Sequence, residues 1–395
     1  MHEVDAVRAL VLERAERLPP EILALTSMGL NQILAEDIAA DGDSPAFDKS
    51  IVDGYAVSGP GPRYRIVEAI AAGSTSGRVL RPGEAARIFT GAPLPDGADA
   101  VAKQELARVR GEELELPDGA ATAKYILPRG TEWKAGDVVV PAGTALNPIA
   151  FGLFASVGRT AVRAYPRPQV AVIPTGDELV EANTKPHGSQ LRNSNGPMLV
   201  AQAVRAGALP RYLGIGRDDE AILENLLLEG LLTTHVVVVA GGASVGDFDL
   251  VPKVLAKLGV DIHVRSVRMK PGKPLLFGTK GRVLVFGLPG NPVSSHVGFE
   301  LFVKPAIAKL RGAASDRPRV LRLPLAEALA ASNDRPTYHP AIVSPPGGDR
   351  TATPIPWFGS ANLKALLHAN GLIVLPPGEV KLAAGTAVDV LYTHG

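Results

Sequence analysis

The sequence contains no cysteine. This excludes a disulfide framework, a thiolate nucleophile, Cys-ligated iron–sulfur clusters and Cys-rich zinc sites, and it fits a reducing compartment. Aromatic residues are scarce at 5%, which argues against base stacking on single-stranded nucleic acid. Charge of one sign is missing as well: Lys+Arg 41 against Asp+Glu 40 leaves +1. A general nucleic-acid coat and a polybasic membrane protein are thereby excluded, and an anionic ligand must be met by a local basic patch. The longest apolar runs, such as Val236 to Ala240, are far short of the roughly 20 residues of a bilayer span. The opening Met1-His2-Glu3-Val4-Asp5 is acidic and lacks an apolar signal core. The expectation is a soluble, cytoplasmic protein that binds neither nucleic acid nor membrane.

Catalytic signatures are sparse too. The eight histidines show no H-E-x-x-H spacing, and no G-x-S-x-G elbow, Walker A loop or G-x-G-x-x-G turn stands at a strand end. What remains is carboxylates, lysines and Gly-rich anion nests, a set suited to metal-assisted chemistry on a phosphorylated ligand.

At roughly 100–200 residues per domain, 395 residues make two to four domains. Val4, Val7, Leu10, Val11 and Leu18 recur at helical spacing, so the first 18 residues predict a helix stopped by Pro19-Pro20. From about 45 to 145, short β-type runs alternate with Gly/Pro turns: Tyr64 to Ile70, Ala86 to Phe89, Asp99 to Lys103, Leu106 to Val109, Glu113 to Leu116 and Asp137 to Val140. Asn147-Pro148 then gives an N-cap with Pro at the first helical position, and Gly158 suits the helix end. From Pro168 the texture is βαβ. Strands are expected at 169–173, 211–215, 235–240, 261–267 and 282–286, and helices at 198–206, 221–232, 250–258 and 293–310. Continuous apolar strands between amphipathic helices predict a parallel sheet covered on both faces. After Pro318 the chain returns to strands, at Gly371 to Leu375 and Ala387 to Tyr392, with one helix near 361–369. The fold class expected is multidomain α/β plus β. It comprises a discontinuous N-terminal connector (1–46 and 140–167), an inserted β module (47–139), a doubly wound α/β domain (168–314) and a barrel-like C-terminal β domain (315–395).

Three loops at strand ends of the α/β domain carry the chemistry. The first, after His235 to Ala240, runs Gly241-Gly242-Ala243-Ser244-Val245-Gly246-Asp247-Phe248-Asp249. Its glycines let backbone N–H groups converge on an anion, and Asp247 and Asp249 offer hard oxygens for Mg²⁺; the same residues would also serve a tight β–α turn with solvated caps. The second, Pro289-Gly290-Asn291-Pro292-Val293-Ser294, is stiffened by two prolines and opens a helix. Between them, 262–299 holds Arg265, Arg268, Lys270, Lys273, Lys280 and Arg282 with no acid, a local +6. Lys270-Pro271-Gly272-Lys273 projects two cations from a stiff turn, suited to phosphate or another oxyanion and equally compatible with a solvated basic face. The third, Thr175-Gly176-Asp177-Glu178-Leu179, places Glu178 at the same edge, and Arg217-Asp218-Asp219 is an N-cap that also follows a strand. In the β module, Asp53-Gly54-Tyr55 and Thr90-Gly91-Ala92-Pro93 are either turns or site loops.

Taken in order, these stretches resemble the molybdopterin molybdenumtransferase family, bacterial MoeA and the gephyrin E-domain. The matching segments are Gly29 to Ile38, Phe47 to Ala56, Thr90 to Val101, Thr175 to Leu179, Gly241 to Asp249, Met269 to Pro274 and Gly287 to Ser294, with a weaker one at Ala369 to Pro376. The α/β domain alone is similar to MogA/MoaB-like adenylyltransferases. The resemblance implies a transferase of the last step of molybdenum cofactor biosynthesis, in which adenylylated molybdopterin and molybdate are substrates and Mg²⁺-dependent cleavage releases AMP. It implies a homodimer whose clefts combine the α/β domain of one subunit with the β module of the other, and meetings with a molybdopterin adenylyltransferase and apo-molybdoenzymes. Carried over by motif, the catalytic set is Asp53, Thr90, Glu178, Asp218, Asp249, Lys270 and Lys273, with Asp218 and Asp249 on the metal. The cofactor-binding set is Gly241, Gly242, Ser244, Gly246, Asp247, Pro289, Gly290, Asn291, Pro292 and Ser294. The alternatives are a catalytically altered paralogue acting as a molybdopterin-binding scaffold and a pterin adenylyltransferase. Departures from the family pattern are Ile51-Val52, Gly130-Thr131-Glu132, Lys364-Ala365 and Tyr338-His339-Pro340, the last where an aromatic followed by Arg is usual.

Overall fold

The computed structural model describes residues 1–25, 29–242, 250–345 and 350–393. It resolves into two compact units, one of residues 1–35, 143–146 and 163–395, the other of residues 36–142 and 147–162.

The first unit is organised by a six-stranded sheet in the order Leu209–Tyr212, Gln169–Pro174, Val236–Ala240, Val283–Leu288, Pro274–Lys280, Asp261–Ser266. Val236–Ala240 is buried along its whole length, and its alternation divides it between two cores. Val236, Val238 and Ala240 pack with Leu199, Phe299 and Ile307, whereas Val237 and Val239 pack with Leu227, Val254 and Leu255. A strand lined on both faces reads as an unbroken apolar run because neither face meets water.

The parallel sheet predicted from those runs holds for the first four strands. It continues into an antiparallel pair, because Pro274–Lys280 is a strand that the pattern missed. Lys280 stands opposite Val283, so Gly281 and Arg282 form a two-residue hairpin loop, with Gly281 at φ +56°.

Helix boundaries differ from expectation for identifiable reasons. The first helix is Val4–Arg14 rather than 18 residues long. Leu18 precedes proline, which disfavours helix, and its N–H is taken by the Leu310 carbonyl at 2.9 Å. Asn195–Arg205 begins three residues before Met198 because the Asn193 side chain accepts the Gly196 N–H at 2.8 Å. Near 361–369 only the single 3₁₀ turn Leu363–Leu366 forms. The C-terminal portion is a five-stranded sheet with a separate strand pair, Leu329–Asn333 on Gly378–Leu382, around Leu323, Ile373, Leu375 and Val390.

The second unit holds a seven-stranded sheet. Tyr55, Val57, Ala102 and Leu114 form the core on one face; Ala56, Ile70, Ala86 and Ile88 form that on the other. The strand expected at Leu106 to Val109 is split into a 3₁₀ turn, Gln104–Leu106, and a strand, Arg108–Arg110. Asn147 caps Pro148–Ser156 as predicted, accepting the Ala150 N–H at 3.0 Å. Among the described residues, no helix is long and apolar enough to cross a membrane.

Two predictions follow from packing. A Cβ on Gly54 would lie 1.8 Å from the Ala102 carbonyl oxygen. Gly54→Ala should therefore cost about 3 kcal/mol in thermal unfolding; a wild-type melting curve would contradict this close crossing. Glu300 has only 2% side-chain exposure and is paired with Arg205 and Lys304, and it accepts the Gln202 amide at 2.9 Å. Burial pushes its carboxyl up, but Lys304, His296 and Arg205 outweigh that and hold it below the ordinary glutamate value of 4.5. The stability it contributes is thus present above pH 4.5 and disappears as pH falls through the lowered folded value. Glu300→Ala, which strands two cations, should cost about 3 kcal/mol at pH 7. The gap from wild type should narrow on acidification in urea titrations at stepped pH.

Candidate substrate cleft and anion cavity

The carboxyl edge of the parallel strands gathers the predicted loops. Thr175 N–H donates to the Ala240 carbonyl at 2.9 Å and Gly176 N–H to Gly216 at 3.0 Å. The Gly241 N–H reaches the Leu288 carbonyl at 3.0 Å. Gly176 (φ +143°) and Gly241 (φ +108°) both hold a backbone conformation that L side chains rarely adopt. A Cβ would lie 2.4 Å from the Glu178 carboxylate in the first case and 2.4 Å from the Thr175 carbonyl oxygen in the second. A Cβ on Gly290 would touch the Gly241 Cα at 3.8 Å, so the second loop meets the first through bare backbone. Gly242, at φ +57°, packs toward Val251. Ser244, Gly246, Asp247 and Asp249 lie outside the described residues.

Glu178 and Asp218 stand on loops that Arg217 clamps together. Its guanidinium donates to the Asp177 carbonyl at 3.0 Å and the Leu179 carbonyl at 2.9 Å, and the Asp218 N–H donates to the Asp177 carboxylate at 3.0 Å. The neighbouring pair of aspartates divides its work: Asp219 caps helix Glu220–Thr233 through the Ile222 N–H at 2.9 Å, while the Asp218 carboxylate makes no hydrogen bond or ion pair among the described residues. Among those residues no group of three or more His, Asp or Glu side chains converges on a metal position. Of the two expected Mg²⁺ ligands, Asp218 is the one among the described residues.

Lys270 and Lys273 line a cavity of about 370 Å³ together with Pro289, Asn291, Ser294, Arg335, Trp357 and Ser360. The turn that carries them is held by strand-like pairing to the C-terminal portion: Lys270 N–H donates to the Pro336 carbonyl at 2.9 Å and Tyr338 N–H to the Lys270 carbonyl at 2.8 Å. Gly272, at φ +102°, closes over Met269. Asn291 does not cap the Pro292–Gly298 helix that it precedes; its amide donates to Ser360 Oγ at 3.0 Å, and Val293 N–H donates to the Ser360 carbonyl at 3.0 Å. Pro292 occupies the first turn of that helix. His339, from the stretch that departs from the family pattern, is turned away from the cavity onto the Ile355 carbonyl at 3.0 Å and edge-on to Trp357. Burial pushes its imidazole below the ordinary value, so it supplies no cation there. No local motif in the sequence marks Arg335, Trp357 or Ser360; the fold alone brings them to the cavity.

In the second unit, Asp53 and Thr90 are brought together. Asp53 Oδ1 accepts the Thr90 N–H at 2.7 Å and its hydroxyl at 2.9 Å. These two bonds, with Arg87 nearby, hold the Asp53 carboxyl below its usual range. The pair opens on a cavity of about 510 Å³ with Lys103, Glu105 and Tyr125, Lys103 lying 5.1 Å over the Tyr125 ring. At the Gly130 departure, Glu132 accepts the Ser44 hydroxyl at 2.6 Å.

The chain matches three consecutive family models: "MoeA N-terminal region (domain I and II)" over 2–158, "Probable molybdopterin binding domain" over 171–309 and "MoeA C-terminal region (domain IV)" over 322–392. A molybdopterin molybdenumtransferase of Staphylococcus aureus is 33% identical over 399 residues, covering 99% of this chain and 95% of that protein. One of Bacillus subtilis is 35% identical over 375 residues, covering 92% and 87%. The crystal structure of a molybdopterin biosynthesis MoeA protein from Pyrococcus horikoshii superposes with TM-score 0.84 at 29% identity, covering 100% of this chain and 99% of that one. With the three models spanning most of its length and relatives of this identity covering nearly all of it, the chain belongs to the MoeA family of molybdopterin molybdenumtransferases.

Proposed function

We propose that this protein is a molybdopterin molybdenumtransferase, moving molybdenum from molybdate into adenylylated molybdopterin with release of AMP, the last step of molybdenum cofactor biosynthesis. The observation that carries the reading is the cavity where Lys270 and Lys273 meet the hydroxyls of Ser294 and Ser360. Molybdate is a tetrahedral dianion, and two ammonium groups with hydroxyl donors match its charge and its oxygens. The Gly-rich loop that follows Gly241 and the exposed backbone at Gly290 would meet the phosphates of the adenylylated pterin, with Glu178 and Asp218 on the polar rim. Water attacks the AMP phosphorus as its P–O bond to the pterin phosphate breaks, so that AMP leaves, and the two dithiolene sulfurs replace oxo ligands of molybdate, which depart as water; the capturing sulfurs belong to the substrate, consistent with a chain that has no cysteine. Mg²⁺ enters the proposal as a counter-charge to the phosphates, with Asp218 and Asp249 as its ligands. The same proposal includes the four-part domain division, a cytoplasmic homodimer in which Asp53 and Thr90 serve the partner's cleft, and exchange with a molybdopterin adenylyltransferase and apo-molybdoenzymes.

Purified protein given adenylylated molybdopterin should release AMP only when molybdate is added, followed by chromatography of the nucleotide. Absence of molybdate-dependent release would overturn the transferase reading in favour of a pterin-binding scaffold. Lys270→Gln should raise the molybdate KM about tenfold, the worth of one charge-assisted contact, with a smaller change in kcat. Asp53→Asn, which leaves the Thr90 bonds a neutral acceptor, should lower kcat by about 100-fold with the melting temperature unchanged; wild-type turnover would remove Asp53 from the site.

A further inference from the structure

A separate cavity of about 390 Å³ shares no lining residue with the anion cavity. It lies where three pieces of the first unit meet: the helix Lys304–Leu310, the connector at 315–319 and the end of strand Ala387–Tyr392. Its apolar wall is Pro305, Ala308, Pro318, Leu391 and the Tyr392 ring. The connector is held to the strand by the ladder that begins beside it. Val320 stands opposite Leu391, and the Tyr392 N–H donates to the Arg319 carbonyl at 2.8 Å. Pro318 fixes a further backbone torsion just before that pair. Backbone pairing thus sets the wall before any ligand arrives.

The charges here do not cancel. Two acids line the cavity, and each already has a cation: Glu300 is shared by Arg205 and Lys304, and Asp316 faces Lys309 at 3.8 Å. Arg317 and Arg319 line it as well, and neither forms an ion pair among the described residues. The Arg319 guanidinium lies 5.7 Å over the Tyr392 ring. That of Arg350 lies 5.9 Å from the same ring centre, and its buried Nε finds no acceptor. Two guanidiniums on one phenol ring, and a third on the same wall, place uncompensated positive charge beside an apolar surface. An inorganic anion would answer the arginines and leave the wall wet, whereas a neutral apolar molecule would do the reverse.

We infer that this cavity is a binding site for a small organic anion of the aryl carboxylate class, its flat apolar body on the proline, leucine and tyrosine wall and its anionic group on Arg317 and Arg319. A guanidinium offers a carboxylate two parallel N–H donors, and the volume is at the scale of small-molecule pockets. Lys304 is not part of this contact, since Glu300 holds it at 3.2 Å and the Thr393 carbonyl at 3.4 Å. None of these residues belongs to the proposed substrate cleft, so the inference stands or falls apart from the transferase reading.

Isothermal titration of the full chain with naphthoate, with its neutral isostere naphthamide and with acetate tests this. Naphthoate should bind one to one, naphthamide about tenfold more weakly for want of the charge-assisted contact, and acetate without measurable heat. Arg317→Gln and Arg319→Gln should each weaken naphthoate about tenfold and leave naphthamide unchanged. Ala308→Leu, which fills the apolar wall, should weaken both aromatic ligands alike with the melting temperature unchanged. Should Arg319→Gln melt early through loss of its seat on Tyr392, Arg317→Gln carries the charge test. Absence of saturable naphthoate binding to the wild type, or wild-type affinity in all three variants, would overturn the site. Equal affinity for naphthoate and naphthamide would overturn the selection of an anion.

Discussion

The whole site depends on a place where the chain has no room for a side chain. Gly241 stands at the end of the most deeply buried strand, and a Cβ there would overlap the Thr175 carbonyl oxygen at 2.4 Å. The Gly241 N–H is bonded to Leu288 on one side, and Thr175 N–H to Ala240 on the other. A side chain at 241 would therefore force apart the ends of three neighbouring strands, in a left-handed conformation that L-residues avoid. Gly290 lies beside it, where a Cβ would be in ordinary contact with the Gly241 Cα at 3.8 Å. Strand order alone puts loops at one edge of a sheet; Gly241 fixes how closely the 175 loop can approach the end of the central strand.

Residues 262–299 show how a charge cluster read from sequence is redistributed by folding. The stretch carries +6 with no acid, yet its cations do not act together. Arg268 pairs with Glu3 at 3.3 Å and Arg282 with Glu16 at 2.8 Å, both partners lying near the N-terminal helix. Exposed pairs of this kind contribute about 0–1 kcal/mol to stability, so their consequence is electrostatic: they neutralise positive charge away from the cavity. Lys270 and Lys273, on the turn between two strands, make no such pair among the described residues. The basic patch is smaller than the sequence suggests and more sharply placed.

What was legible in the sequence was whatever is decided locally. The doubly buried strand Val236–Ala240 shows itself as an unbroken apolar run, and the Asn147-Pro148 cap as a cap, since both follow from neighbours in the chain. The Asp53-Gly54 turn was ambiguous because its cause, the crossing of Ala102, lies about fifty residues away. Pro274–Lys280 was missed as a strand because its pairing with Asp261–Ser266 and Val283–Leu288 is antiparallel, within a domain whose other strands set a parallel expectation. Helix 361–369 was over-read because the Asn291 and Val293 contacts to Ser360 commit the preceding residues to a tertiary joint. Arg335 carries no motif at all; only its register against Lys270 gives it meaning.

That register explains why the C-terminal portion belongs to the site as much as the α/β sheet does. The sheet and its loops supply Lys270, Lys273, Asn291 and Ser294, while Arg335, Trp357 and Ser360 come from beyond residue 315. Among the hydrogen bonds that join the halves, four flank the cavity: Lys270 to Pro336, Tyr338 to Lys270, Asn291 to Ser360 Oγ and Val293 to the Ser360 carbonyl. Three of the four are backbone-to-backbone bonds, insensitive to side-chain identity, so the joint survives the change of sequence at Tyr338-His339-Pro340. An α/β domain alone would keep the glycine-lined cleft where loops 241 and 290 meet, but it would lose one wall of the anion cavity and one of its three cations. In the proposed function a nucleotide-linked pterin addresses the first feature and a small dianion the second. Joining the two operations on one chain therefore requires the second β region to be fastened to the lysine turn itself, which is where the structure fastens it.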